Sequence, residues 1–516
     1  MNSGWRGAFL WPWLALIAIG CAVYAATLRA FFVADDFTLV RAVAEHGPFA
    51  VWSGPLALAP IFFRPLTSLT FYIDYRLYGL RASGYHLTNV LLHCTSAWLV
   101  GRIALVTCRQ RPLVAATAAL LFLVGPAHGE SVAWIAGRTD VVATVFGLGA
   151  FVCYLHAIES QEWRWPALAF ALYVLGLGAK ESLVALPLVA LAYQALVVQT
   201  WRGRGARLVI AFLVCLPPYI LVRRWAVGGW VGGYGASAHL HHDPRYLLVN
   251  GTQQLLHALG FGVPSYGSWL TLALYVVLGC ASLAALVAWH VDRRSSRASQ
   301  PQLLLFLLVA IAISMLPTLN LAIATAGTEG ERYVYLATVW LSLLLAIVVA
   351  PAFERPQRLV VAGALVASGA LLLAVRNVRW RDAGALSREV VATIVAQPLG
   401  SEPLTLLNVP DSLRDAYIMH TGIWDAQLLF APKGPPLYVG AYEPLDTPDE
   451  PVDVERRGDN LTLTLPAAAR RLGYWSPPPA DAPFHVLEQS ARRFVVMLPP
   501  SRRALAFVHG ALRSID

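Results

Sequence analysis

Apolar runs of nearly membrane-spanning length alternate along this chain with short polar gaps, and the gaps are of two kinds. A helix needs about 20 predominantly apolar residues to cross a bilayer. Runs approaching that length fall at 10–32, 86–107, 112–126, 140–158, 166–179, 182–199, 206–223, 268–290, 302–319, 333–351 and 357–375. They predict a polytopic α-helical membrane protein with about eleven spans, the shortest at 112–126 and 166–179. One set of gaps is basic: Arg109 and Arg111; Arg202, Arg204 and Arg207; Arg293, Arg294 and Arg297; Arg355 and Arg358. The positive-inside rule puts these, and the N-terminus, in the cytoplasm. The complementary gaps then lie outside: 33–85, 127–139, Lys180 and Glu181, 224–267, 320–332 and everything after Val375.

Two polar regions carry their own pattern. In RPLTSLTFYIDYRLYGL, Leu66, Leu69, Ile73, Leu77 and Leu80 recur at helical spacing among Tyr72, Tyr75 and Tyr78. This predicts a helix lying in the interface plane, where aromatic residues prefer the headgroup level. After Arg376, RNVRWRDAGALSREVVATIV reads as an amphipathic helix leaving the membrane. From Pro403 onward, LTLLNV, LTLTL, FHVL, RFVVML and ALAFVH read as strands separated by turn residues. The chain therefore divides into a membrane domain over 1–380, including the outer loop 33–85, and a small extracytoplasmic β or α+β domain over 381–516.

Composition sharpens the class. Of 516 residues, 57% are hydrophobic and 13% charged, where a soluble domain carries about 25% charged. The net charge of +9 is explained by the basic gaps, with no nucleic-acid partner needed. All six cysteines (Cys21, Cys94, Cys108, Cys153, Cys215 and Cys280) fall in or beside apolar runs, which suits small buried residues better than a disulfide framework. The first run is too long for a signal-peptide core and lacks a cleavage site, so it reads as a retained anchor. Lys180 and Lys433 are the only lysines against abundant arginine. That bias points to a GC-rich bacterial genome, and so to an inner membrane.

The outer gaps hold the candidate chemistry. FFVADDF sets Asp35 and Asp36 just beyond the first run. Ionisable groups inside a membrane cost about 2.5–3.5 kcal/mol each near its centre and default to function. Two adjacent carboxylates resist joint ionisation, so one can serve as a base while the other tunes or positions it. PAHGESVAWIAGRTD contributes His128, Glu130, Arg138 and Asp140; GAKES contributes Lys180 and Glu181; LPTLNLAIATAGTEGERYVYLA contributes Asn320, Glu329, Glu331, Arg332, Tyr333 and Tyr335. In YHLTNVLLH, His86, Asn89 and His93 share one helical face. Bland readings compete: Lys180 and Glu181 as a local ion pair worth under ~1 kcal/mol, and His93 as a hydrogen-bonding link between spans. HLHHD (His239, His241, His242 and Asp243) matches no zinc spacing and reads as a solvated loop. No phosphate loop, dinucleotide fingerprint or H-E-x-x-H is present, which leaves a soluble nucleotide donor unsupported.

ADDF, FRPLTSLTFYIDYRLYGL, GYHLTNVLLH, GPAHGESVAWIAGRTDVVATVF, GAKES, LPTLNL with GERYVYLA, and VRNVRWRDAGAL occur in that order over about residues 10–390. Together they resemble multispan GT-C glycosyltransferases, above all the transmembrane, tetratricopeptide-containing O-mannosyltransferases and their bacterial relatives. The resemblance implies a polyprenyl-phosphate sugar donor and inverting transfer, outside the membrane, to a hydroxyl of a glycan, lipid or protein. It maps the catalytic acid to Asp35 and Asp36, the donor phosphate to Arg138, Lys180 and Arg332, and the acceptor side to His86. The same matched segments offer Arg64, His128, Glu130, Asp140, Glu331 and Tyr333 as substrate contacts. Some such enzymes use a divalent metal and others do not, so a metal stays open here. The relatives carry tetratricopeptide repeats after the WRD segment, whereas this chain carries strands, which leaves the acceptor open. Two other functions stay in play: a lipid-glycan flippase, which needs no base, and a glycan polymerase or ligase built on the loop 224–267.

Overall fold

The computed structural model describes residues 4–48, 62–108, 111–228, 230, 243–262, 272–280, 282, 301–321, 323, 327–349, 356–400, 402–449, 451–465 and 481–515. The three histidines of HLHHD, the Arg293 cluster, Arg109, Arg355 and most of the run 268–290 fall outside them. Among the described residues, seven helices are long and apolar enough to cross a membrane: Ala82–Thr107, Ile135–Glu159, Glu181–Val198, Arg204–Val227, Pro301–Thr318, Glu331–Val349 and Val360–Val395. An eighth span is broken, Pro112–Leu123 meeting Pro126–Ala133 at 48°. The break falls at Gly125-Pro126, where proline cannot continue the helical hydrogen bonding. Two further apolar helices, Trp11–Val23 and Arg164–Leu177, are shorter. The chain is a polytopic helical membrane protein with a small strand-rich C-terminal region.

The bundle core is built where small and aromatic residues interlock. Helix α4 (Ala82–Thr107) packs between α1 (Gly4–Val23), α5 (Pro112–Leu123) and α7 (Arg138–Glu159). Gly101 lets α4 approach α5 so closely that an added Cβ would lie 3.3 Å from the Ala115 carbonyl. Of the six cysteines, Cys94 and Cys153 are buried and Cys280 is exposed; all are free.

Short helices line one end of the bundle. Helix α2 (Asp35–His46) begins with two acids, which favour a helix N-terminus. Helix α3 (Pro65–Tyr78) starts on proline at its first turn and stops at Gly79, with φ +57°. Leu69, Ile73 and Leu77 on α3 are exposed, whereas Thr67, Ser68, Phe71 and Asp74 face the protein. An apolar stripe turned outward and a polar one turned inward suit a helix at the membrane interface.

The last helix joins the two regions. Helix α14 (Pro356–Val395) has 40 residues and is about 60 Å long at 1.5 Å per residue, twice a hydrocarbon core. Its apolar half crosses and its amphipathic half continues beyond. There Ala383, Leu386, Val390, Val391 and Ile394 join a second core with α2, α3 and the first sheet. In that sheet β1 (Leu404–Leu413) runs parallel to β3 (Leu437–Leu445) and β8 (Arg503–Val508), with short antiparallel partners β2 (Ala416–Tyr417) on β1 and β9 (Ala511–Ser514) on β8. β1 is buried throughout, as expected for a strand covered on both faces. A second, antiparallel sheet, β4 (Asp453–Arg457), β5 (Asn460–Thr464), β7 (Arg493–Met497) and β6 (His485–Gln489), packs on it through Leu407, Ala441, Leu461, Leu463, Phe494 and Val496.

The C-terminal region docks on the start of α2. Gly422 has φ +80°, and a Cβ there would sit 2.3 Å from the Ala34 carbonyl oxygen. Only glycine accommodates both the backbone conformation and that approach. Gly422→Ala is expected to loosen the docking: limited proteolysis of the purified full chain should release the C-terminal region sooner, with helical circular dichroism unchanged. An unaltered digestion pattern contradicts this packing.

Candidate active site

The Asp35–Asp36 pair is split by its surroundings. Asp36 is fully buried. Its Oδ2 accepts from the Val33 amide (2.9 Å) and its Oδ1 from the Ala136 amide (2.8 Å). Burial pushes its carboxyl up to about 8, against those two donors, which favour the ionised form. Asp36 thus staples the loop before α2 to the segment before α7. Asp35 is half-buried, and its Oδ1 accepts a hydrogen bond from the Thr421 hydroxyl of the C-terminal region. Between the loop and the pair, Ala34 holds φ +46°, a strained conformation for a residue with a side chain.

The cations lie around this staple in pairs. Arg138 is fully buried and salt-bridged to Asp74 at 2.6 Å; its Nε donates to Asn89 Oδ1 (2.6 Å) and its Nη2 to the Tyr85 carbonyl (2.9 Å). Asn89 donates in turn to the carbonyls of Val132 (3.2 Å), Trp134 (3.3 Å) and Ile135 (3.4 Å). Lys180 Nζ donates to both oxygens of Asp140 at 2.6 Å. Its neighbour Glu181 pairs with Arg64 at 2.8 Å, so Lys180 and Glu181 each reach a distant partner rather than one another. Arg332 bonds the Glu130 carboxylate through its side chain and through its amide (3.0 Å), and its guanidinium sits 5.2 Å over the Trp134 ring. Its side chain keeps 16% exposure, against 0% for Arg138 and 6% for Lys180. Glu331 is buried against Arg376 (2.8 Å) and His257 (3.3 Å).

Aromatic rings roof the cluster. Trp134 stacks on Trp380 at 6.5 Å, and Tyr417 of β2 meets both edge-on at 4.9 and 6.1 Å. Tyr417 also donates to Glu329 (3.2 Å), and Tyr333 lies 4.8 Å under the Arg332 guanidinium.

The histidines sit deeper. His93 Nδ1 meets the Tyr335 hydroxyl at 2.7 Å and Nε2 the Leu123 carbonyl at 3.0 Å, which links spans. His86 is fully buried against the backbone of Ala30 and Phe31. His128 Nε2 meets the Thr338 hydroxyl at 2.8 Å; that hydroxyl donates to the Tyr335 carbonyl, so His128 is the donor. It lines a small cavity of about 60 Å³ with Leu121, Leu278, Leu341 and Leu365. Among the described residues, no three His, Cys, Asp or Glu side chains converge as a metal site.

Glu130, Arg332 and Tyr333 come together directly around Trp134, Asp36 is tied to that segment through the Ala136 amide, and Asp35 meets Thr421 of the C-terminal region. Arg138 adjoins them through Asn89 and the 132–136 backbone, whereas Lys180, Asp140 and Arg64 form a neighbouring group tied to α3. The sequence reading passed over Asp74 and Arg376, the partners of Arg138 and Glu331. Their signal was the rule that a buried charge needs an opposite one. Thr421, Tyr417 and Asp425, nearly 400 residues from Asp35, left no local signal.

No protein-family model matches the chain. It is similar to protein O-mannosyl-transferase Tmtc1 of Drosophila melanogaster, 35% identical over 178 residues, which are 32% of this chain and 21% of that protein. A Caenorhabditis elegans protein O-mannosyl-transferase is 26% identical over 314 residues, 55% of this chain and 42% of the relative. The chain thus spans less than half the length of these curated relatives. Among solved structures, ArnT from Cupriavidus metallidurans bound to undecaprenyl phosphate is 12% identical with a TM-score of 0.49, over 97% of this chain and 100% of that one. AglB oligosaccharyltransferase from Archaeoglobus fulgidus, in complex with an inhibitory peptide and a dolichol-phosphate, is 11% identical with a TM-score of 0.46, over 83% and 64%. The chain resembles the transmembrane O-mannosyltransferases.

The two acids should separate in a stability measurement. Asp36→Ala strands two buried amides and is expected to cost about 2–4 kcal/mol, lowering the apparent melting temperature in detergent. Asp35→Ala should melt close to the parent, and equal melting of both variants would contradict the split.

Proposed function

We propose that this chain is an integral-membrane glycosyltransferase that moves a sugar from a polyprenyl-phosphate donor to a hydroxyl acceptor at the extracytoplasmic face, with inversion. The observation that carries this reading is the unequal pair: one acid braced by two amides, its neighbour half-buried and held by a single hydroxyl. The names of the relatives support sugar transfer, with mannose as the first sugar to test. An apolar body without a nucleotide motif suits a lipid-borne donor.

Asp35 takes the proton of the acceptor hydroxyl as its oxygen attacks the anomeric carbon. The bond from that carbon to the phosphate oxygen breaks, and the polyprenyl phosphate leaves with the bonding pair. Arg332, the most exposed of the three paired cations, meets the charge that develops on the phosphate. Arg138 and Lys180 would join only by trading Asp74 and Asp140 for the phosphate. In the resting arrangement their pairs tie α7 to α3 and to the turn at Lys180. The Trp134, Trp380 and Tyr333 rings, buried in the resting arrangement, would take a pyranose ring only on opening. The acceptor is a glycan, lipid or protein hydroxyl reaching Asp35 from the side of the C-terminal region.

Purified protein incubated with a panel of polyprenyl-phosphate sugars and hydroxyl acceptors should release free polyprenyl phosphate. Asp35→Asn is expected to lower that release by about 10²–10⁴-fold at normal expression. Full activity in Asp35→Asn would overturn the assignment of the base.

A further inference from the structure

Helix α2 presents two faces to two regions of the protein. Asp36, Phe37, Val40 and Val43 turn into the core. Asp35, Thr38 and Arg41, spaced at helical intervals, turn to α15 (Ile423–Phe430) and the loop before it. Thr38 Oγ1 donates to Asp425 Oδ2 and Arg41 Nε to Asp425 Oδ1, both at 2.5 Å. Ahead of the helix, the Ala34 amide donates to the Ile418 carbonyl (2.9 Å), while Gly422 presses on the Ala34 carbonyl. The C-terminal region therefore holds both ends of the strained Ala34 residue and the next two turns. Thr421 sits inside that frame and donates to one oxygen of Asp35. Asp35 Oδ2 makes no hydrogen bond with the described residues.

From this geometry we infer that the C-terminal region is a working part of the reaction centre, with Thr421 as the positioning residue that orients Asp35. The inference rests on Asp35 being the base. The Thr421 hydroxyl donates to Oδ1 and fixes the plane of the carboxylate. That leaves Oδ2 to accept the proton of the acceptor hydroxyl. Asp425, through Thr38 and Arg41, keeps Thr421 in register. A region that merely covered the membrane domain would have no need to place a donor on the one half-exposed acid of the pair.

Thr421→Val removes the hydroxyl at nearly constant shape, and Thr421→Ser restores it. The first readout needs no substrate: dicyclohexylcarbodiimide labelling of Asp35 in the purified full chain at pH 6, followed by peptide mass spectrometry. Losing the Thr421 contact frees the carboxyl to turn toward the reagent, so Thr421→Val should label about tenfold faster and Thr421→Ser at the parent rate. The second readout is turnover with undecaprenyl-phosphate-mannose. In Thr421→Val, kcat should fall about tenfold with the donor KM within twofold, and Thr421→Ser should recover it. Parent-like labelling of Thr421→Val overturns the contact. Altered labelling with unchanged kcat overturns the catalytic role, and a raised kcat makes Thr421 a block rather than a guide. Full turnover by Asp35→Asn would instead sink the base assignment, with the labelling contrast still deciding whether Thr421 holds Asp35.

Discussion

A polar or charged group taken out of water must meet a partner, and this protein satisfies that requirement at one end of its helical bundle. Asp36 is the centre of it. By accepting the Val33 amide just ahead of its own helix and the Ala136 amide a hundred residues away, it fixes where α2 begins, where the 132–137 segment lies, and so where Asp35 and the Trp134 ring under Arg332 stand. Around it Arg138 meets Asp74, Arg332 meets Glu130, Glu331 meets Arg376, and Lys180 meets Asp140. Removing one member of a fully buried pair leaves the other stranded, at a cost of about 3–5 kcal/mol. The loops cannot rearrange one at a time without meeting that cost. The same pairs that make the site rigid decide which groups stay available for chemistry.

Much of the membrane fold was legible because span-length hydrophobicity is a strong signal. The helices at 82–107, 135–159, 204–227, 301–318 and 331–349 all match runs visible in the sequence. The helix at 65–78 was legible from its leucine spacing, and its outward Leu69, Ile73 and Leu77 are what that pattern demands. The polar gaps were legible as a group. Their pairing was not, because hydropathy marks where charges lie and says nothing about which opposite charge they meet. Lys180 shows the limit: beside Glu181 in sequence, it pairs with Asp140, forty residues away. The parallel strands of the C-terminal region were legible only as strands, since pairing β1 with β3 and β8 is a matter of long-range packing. Their contact with α2 was invisible for the same reason.

The long helix α14 explains how so distant a segment reaches the site. Its outer half is a strut whose apolar face is shared by α2, β1 and α15, so the membrane domain and the C-terminal region close one core between them. Thr421 and Tyr417 arrive from that core onto Asp35 and the Trp134–Trp380 stack. For the transferase proposed above, one region would supply the acid and the cations, and the other would approach from the acceptor side and set the orientation of the acid.

The central claim is that the acid of the first loop and the cation of the fifth share a single aqueous surface, and cysteine accessibility tests it directly. With the six native cysteines replaced, single cysteines at exposed Glu45, near the end of α2, and exposed Glu329, beside Arg332, should react with an impermeant maleimide from the same side of sealed vesicles. A cysteine at exposed Trp163 should react only from the other side. Reaction of the Glu45 and Glu329 positions from opposite sides would contradict the account, because Asp35 and Arg332 could not then act on one substrate.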